Sequence, residues 1–181
     1  MKLLKYKELV PELACSATLG FFDGVHLGHQ KLLKALNQKN LPSVVLTFEK
    51  SPKSILFPEK KIVLLCSFAE KIERLSACQV DYVYLLPSTR SFLSQSYEEF
   101  LRSIKTFVPF VHLVLGEGAA FGKHREGTQK NIEALGNLWG FSTEYIPPLQ
   151  AEGKIISSTR IRKLFTSKEK GKGEELLRSN P

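Results

Sequence analysis

The chain has 181 residues, 43% hydrophobic and 24% charged, and its 26 Lys/Arg against 18 Asp/Glu give a formal net charge of +8. A domain of this length buries about 70% of the surface its unfolded chain exposes, so a core forms without disulfides or a structural metal. No stretch is long and apolar enough for a helical membrane span, and the basic balance suits polyanionic partners.

At the N-terminus, Leu13-Ala14-Cys15 mimics a lipoprotein cleavage site, but Lys5, Lys7, Glu8 and Glu12 break the apolar run a leader needs. A cytoplasmic location is expected. Cys15, Cys66 and Cys78 are odd in number and form no CxxC pair, which fits reduced thiols in that compartment.

Cys15 to Phe22 reads as a buried strand. A loop follows, and then Leu32, Leu33 and Leu36 recur at helical spacing. Ser43 to Phe48, rich in β-branched residues, reads as a second strand, and Ser51 to Glu59, with two prolines, as loop. Phe68 to Ala77 is expected as a helix and Val80 to Leu86 as a strand closed by Pro87. Ser96 caps an expected helix over Tyr97 to Phe107. Val111 to Leu115 is a strand entering a Gly-rich loop, and Thr128 to Trp139 a helix stopped by Gly140. Thr143 to Ile146 is a short strand before Pro147-Pro148, and a basic helical region begins near Ser158. This alternation predicts a single α/β domain, a Rossmann-like open parallel sheet with helices on both faces. Ligands in such sheets bind beyond the carboxyl ends of the strands, here the loops after Phe22, Phe48, Leu86 and Leu115.

The first of these loops reads Gly20-Phe21-Phe22-Asp23-Gly24-Val25-His26-Leu27-Gly28-His29-Gln30. His26 and His29 are three apart at a helix start, so they share a face near free N–H groups that attract anions. Gly24 and Gly28 let backbone approach a ligand. Phosphoryl or nucleotidyl transfer wants this arrangement, because such reactions rest on positioning and charge neutralisation. Zinc is the rival for paired histidines, but a metal pair on a helix more usually shows i, i+4 spacing with a further ligand.

The segment resembles the signature of the FAD synthetase family of FMN adenylyltransferases, GxFDGVHxGHQ, at Gly20, Phe22 to His26 and Gly28 to Gln30. It includes the HxGH core of the wider nucleotidyltransferase superfamily. The resemblance implies that His26 and His29 bind ATP phosphates and stabilise the transition state, within a site that also takes in Gly20, Phe21, Phe22, Asp23, Gly24 and Gly28.

Near the other end stands Ile156-Ser157-Ser158-Thr159-Arg160-Ile161-Arg162. Ser or Thr before an amphipathic run marks a helix start, and arginine's forked donors suit phosphate. Cations at a helix N-terminus oppose the dipole, so the Arg160/Arg162 pair makes sense with an anion between them. Every fixed position of the family's ISSTxIR matches. The resemblance implies that Ser157, Ser158, Thr159 and Arg162 hold the triphosphate, with Arg162 the stronger candidate for direct contact. The two signatures meet in one cleft if the first and last strand-helix junctions lie side by side.

Between the signatures the match thins. The family's TFxPHP stretch corresponds to Thr47 to Pro52, with Lys50 and Ser51 in place of its first proline and its histidine. A family phenylalanine falls on Ser88, and in GxDFxFGxxxxG the acidic and aromatic positions are Gly118 and Ala119, while Phe121-Gly122 survives. Phe48, Ser51, Pro52 and Phe121 are the residues the resemblance places on the flavin side. Gly116-x-Gly118 hints at a dinucleotide fingerprint, but the third glycine is displaced and Lys123-His124-Arg125 replaces an apolar helix start. Leu176 to Pro181 resembles the family's domain end, so riboflavin phosphorylation is not expected of these residues, the kinase domain that many members carry being lost, encoded separately or trimmed away. The expected activity is transfer of AMP from ATP, with Mg²⁺, to FMN, giving FAD; the metal-holding residues stay open. The departures leave two alternatives: another phosphate-ester acceptor, or a degenerate nucleotide-binding protein without catalysis. No nucleic-acid or membrane partner is expected, since no aromatic-basic recognition motif is present.

Overall fold

The computed structural model describes residues 1–178. Strands β1 (Lys2–Lys5) and β2 (Cys15–Leu19) are followed by helix α1 (Leu27–Asn37) and strand β3 (Ser43–Phe48). Helices α2 (Pro52–Leu56) and α3 (Phe68–Ala77) precede β4 (Tyr82–Leu86). Next come α4 (Arg90–Leu93), α5 (Tyr97–Lys105), β5 (Phe110–Gly116), α6 (Gln129–Trp139) and β6 (Ser142–Ile146). A hairpin of β7 (Gln150–Ala151) and β8 (Lys154–Ile155) leads to α7 (Ser158–Phe165) and α8 (Lys170–Glu175).

Six strands pair in the order β1-β4-β3-β2-β5-β6, all parallel. The chain winds outward from β2 through β3 to β4, then returns to β5 and β6 on the other side of β2. The direction of winding reverses between β2 and β5, and a crevice opens at their carboxyl ends by geometry. Alternate side chains feed two cores. Val44, Leu46, Tyr84, Leu113 and Leu115 pack with Phe100, Leu101 and Ile104 of α5 and Ile132 and Leu135 of α6. Val45, Val83 and Val114 pack with Leu32, Leu33 and Leu36 of α1 and Leu75 of α3. Helices therefore cover both faces, as the continuous apolar strands require. A smaller cluster of Ile156, Ile161 and Leu176 seats α7 and α8 near Leu27 and Leu65.

Several boundaries differ from the sequence reading. The first long strand stops at Leu19, because Phe22 takes a left-handed conformation (φ 54) and Asp23–Val25 form a tight turn. The stretch expected as loop after Ser51 holds α2, with Pro52 in its first turn, where a missing N–H costs nothing. The strand expected from Val80 begins at Tyr82, after Gln79 at positive φ. The helix expected through Phe107 ends at Lys105, and Thr128 caps α6 from outside it. Strand β1 went unread because only Leu4 faces inward, so an edge strand spelled Lys-Leu-Leu-Lys looks polar. The four-residue α4 and the β7–β8 hairpin are too short to show a period. Of the expected domain end, Ser179 to Pro181 lie outside the described residues.

Candidate active site

The site begins where β2 leaves the sheet. Gly20 still donates its N–H to Leu46 O at 3.1 Å, and the chain then turns sharply through Asp23–Val25. Gly24 sits at φ 78, and a Cβ there would lie 2.8 Å from Leu177 and 3.0 Å from Leu65, so only glycine fits. His26 caps α1: its Nδ1 accepts from His29 N–H at 3.4 Å. A Cβ on Gly28 would press to 3.2 Å from the His26 ring. The two imidazoles stack with centroids 3.7 Å apart, and Phe22 meets His29 edge-on at 5.1 Å.

Both rings are held neutral near pH 7. Burial, and then the Arg162 charge, pull the His26 pKa down to about 4, against its own backbone hydrogen bond. Burial, His26 and Lys71 push His29 well below the usual imidazole range. A neutral His26 whose Nδ1 accepts carries its proton on Nε2, which makes it a donor. His29 is partly exposed, yet its Nδ1 is enclosed without a hydrogen-bond partner.

The second signature closes on the first. Asp23 is buried, its Oδ1 accepts from Leu65 N–H at 3.0 Å, and its Oδ2 pairs with the Arg162 guanidinium. Arg162 Nε donates to Val63 O at 2.6 Å. Ser157 caps α7 by accepting from Arg160 N–H at 3.3 Å, and Ser158 Oγ donates to Asp23 O at 3.4 Å. A cavity of about 1030 Å³ lies between these elements. Phe21, Phe22, Asp23, His26 and His29 line one side, and Ser157, Ser158, Thr159 and Arg162 another. Ser51, Pro52 and Lys53 and the extended segment 61–65 complete the wall.

The structure thus brings together most of the residues singled out in the sequence. Gly20, Gly24 and Gly28 shape the loop without lining the cavity. Phe48 is buried in the sheet core. Phe121 lies away from the cavity lining, its ring 5.5 Å from that of Phe100. The expected arginine pair with an anion between does not form. Arg160 turns to the hairpin, donating to Ala151 O at 3.0 Å and Lys154 O at 2.8 Å beside Glu152.

Two features escaped the sequence reading. Segment 61–65 follows no period, and its role as a wall comes from contacts with Asp23 and Arg162 across the fold. Lys71 was hidden in an amphipathic helix. Its side chain turns inward and is 2% exposed, with Nζ 3.2 Å from Phe21 O and 2.5 Å from Phe48 O. No cluster of His, Cys, Asp and Glu able to hold a metal ion occurs among the described residues.

Fold and site together define a doubly wound α/β domain with a cavity lined by His, Ser, Thr and Arg side chains at its switch point. Residues 11–160 match the FAD synthetase family. The chain belongs to that family. It is 34% identical over 170 residues to a bifunctional riboflavin kinase/FMN adenylyltransferase from Haemophilus influenzae, covering 90% of this chain and 54% of the relative. The Escherichia coli K12 protein of the same name is 31% identical over 92% of this chain and 55% of its own length. The chain thus spans about half the length of the curated relatives it matches. Among solved structures, one described as a macrolide-efflux protein from Streptococcus pneumoniae superposes with a TM-score of 0.83 at 28% identity, over 98% of this chain and 61% of the other. No helix among the described residues is long and apolar enough to cross a membrane. A pantoate-beta-alanine ligase from Francisella tularensis shares the fold alone, with a TM-score of 0.56 at 13% identity over 96% of this chain and 74% of that one.

Proposed function

We propose that residues 1–181 act as one adenylyltransferase domain that joins the AMP of ATP to FMN, giving FAD and pyrophosphate. The observation that carries this reading is the convergence of the two signatures, at opposite ends of the chain, on one cavity through Asp23, Ser158 and Arg162. In this reading the triphosphate lies among His26, His29, Ser157, Ser158, Thr159 and Arg162. An oxygen of the FMN phosphate attacks the α-phosphorus in line, a new P–O bond forms, and the bond to the β-phosphate oxygen breaks. The nucleophile is already an anion, so no general base is needed. Neutral His26 and His29 donate hydrogen bonds to oxygens whose charge grows as pyrophosphate departs. Among the described residues, the only carboxylate lining the cavity, Asp23, is already taken by Arg162 and Leu65 N–H. Mg²⁺ bound with ATP would be held by the phosphates and water, its common mode, and would neutralise phosphate charge.

Ser51 and Pro52, which line the same cavity, are the positions for the acceptor, and FMN is supplied by a riboflavin kinase activity. The reading places the work in the cytoplasm, without nucleic acid. An acceptor panel tests it: FMN, a pantetheine phosphate and nicotinate mononucleotide, each with MgATP, followed by pyrophosphate release. FMN-dependent release well above the other two is expected. Equal release with all three, or release with a different acceptor only, contradicts FMN as the substrate.

A further inference from the structure

Lys71 is a lysine where lysines are rarely found. It points from α3 into the protein beneath the carboxyl ends of β2 and β3, and 2% of it is exposed. An ammonium withdrawn from water without an anion to balance it is costly. Among the described residues no carboxylate lies within ion-pair distance of it. What holds it is neutral: the carbonyls of Phe21 and Phe48, and the face of the Phe21 ring with Nζ 4.2 Å from its centroid. The Phe68 ring lies further off, at 5.6 Å. Phe21 lines the cavity, so a full positive charge is stationed directly behind the cavity wall.

The surrounding charges are few and asymmetric. Asp23, Glu49 and the Cys66 thiol are the acidic groups whose fields reach Lys71, and Asp23 is already paired to Arg162. On the other side the ammonium acts on His29, helping to keep that ring uncharged. Lys53 and Lys61 also line the cavity but are exposed to solvent; with both histidines neutral and Arg162 paired, Lys71 is the buried cation behind its wall. A polyphosphate entering there supplies the anion the lysine lacks.

We propose that Lys71 is a positioning residue of the adenylyl-transfer site: it ties the ends of β2 and β3 and the Phe21 ring into one wall and directs an uncompensated positive field at the bound polyphosphate. The inference rests on the adenylyltransferase reading for its role in turnover, but its effect on nucleotide binding is separately measurable.

The charge has an accessible titration. Burial lowers the Lys71 pKa to about 8, the nearby Cys66, Asp23 and Glu49 opposing the shift. Cys66 is itself raised by burial, and phosphates have shed their second proton by then, so the two Lys71 variants are what tie a transition in this window to Lys71. The experiment is calorimetric binding of MgATP across pH 7 to 9.5, as about those limits bracket the transition, to wild type, Lys71→Met and Lys71→Arg, each first checked for cooperative melting. Wild-type affinity is expected to fall about tenfold as pH rises through the transition. Lys71→Met, which keeps the length of the stem, binds at the weakened level throughout. Lys71→Arg, charged at every pH, binds at the tight level throughout. A flat wild-type profile, or the same fall persisting in a folded Met or Arg variant, overturns the proposal. FAD formation measured alongside separates the two claims: the binding pattern without FAD supports Lys71 and counts against FMN transfer.

Discussion

An imidazole walled in by protein makes a poor cation, and this sets how the site responds to acid. Burial and then Arg162 depress the His26 pKa to about 4, while in the unfolded chain it titrates near 6.5. Below about 6.5 the unfolded state binds the proton and the folded state does not, so stability is lost as pH falls from there towards about 4. His26 is 4% exposed, so solvent does little to screen the effect. The coupling amounts to about 3 kcal/mol. Urea melts at pH 7 and 4.5, as about those values bracket the window, should show His26→Asn losing about 2–3 kcal/mol less than wild type over the interval. Equal losses would show that His26 titrates normally in the folded chain. The identity of the two histidines was legible in the sequence, because a motif lists residues in order. Their neutrality was not, because it depends on burial by Phe22 and on a guanidinium brought from the far end of the chain.

At the scale of elements, α7 carries two arginines two places apart with different duties. Arg162 reaches the cavity, while Arg160 is spent on the carbonyls of Ala151 and Lys154 that join the β7–β8 hairpin to the helix. Arg160→Ala is expected to speed amide exchange in the hairpin and lower FAD formation by less than about tenfold, while Arg162→Ala lowers it by about a hundredfold or more. Equal losses of activity would return both arginines to the phosphate site. The motif marked both as a basic pair, and only the three-dimensional position of the hairpin separates them. The same limit explains which elements could be read. β3, with all six residues buried, and α3, with apolar residues on one stripe, have strong patterns and were found with their ends in place. β1 and the hairpin exist through their neighbours, so their own residues carry little signal.

For the molecule as a whole, the parallel sheet with helices on both faces was legible, because strand-helix alternation leaves few architectures; the strand order was not, since pairing joins residues far apart in sequence. The meeting of the two signatures followed only conditionally. It required that α7 fold back over the loop after β2, and the contacts that hold it there, Ser158 to Asp23 and Arg162 to Asp23, join residues more than a hundred positions apart. Lys71 marks the far limit of legibility, since an inward-facing lysine on an amphipathic helix spells the same as a solvated one.

In the proposed function one cavity carries adenylyl transfer to FMN. The direct measurement is chromatographic detection of FAD with equimolar pyrophosphate from MgATP and FMN, for wild type and for His29→Ala. FAD from wild type, reduced about a hundredfold or more in a folded His29→Ala, is the predicted result. No FAD from folded, ATP-binding wild type, or near-normal FAD from His29→Ala, would contradict the account.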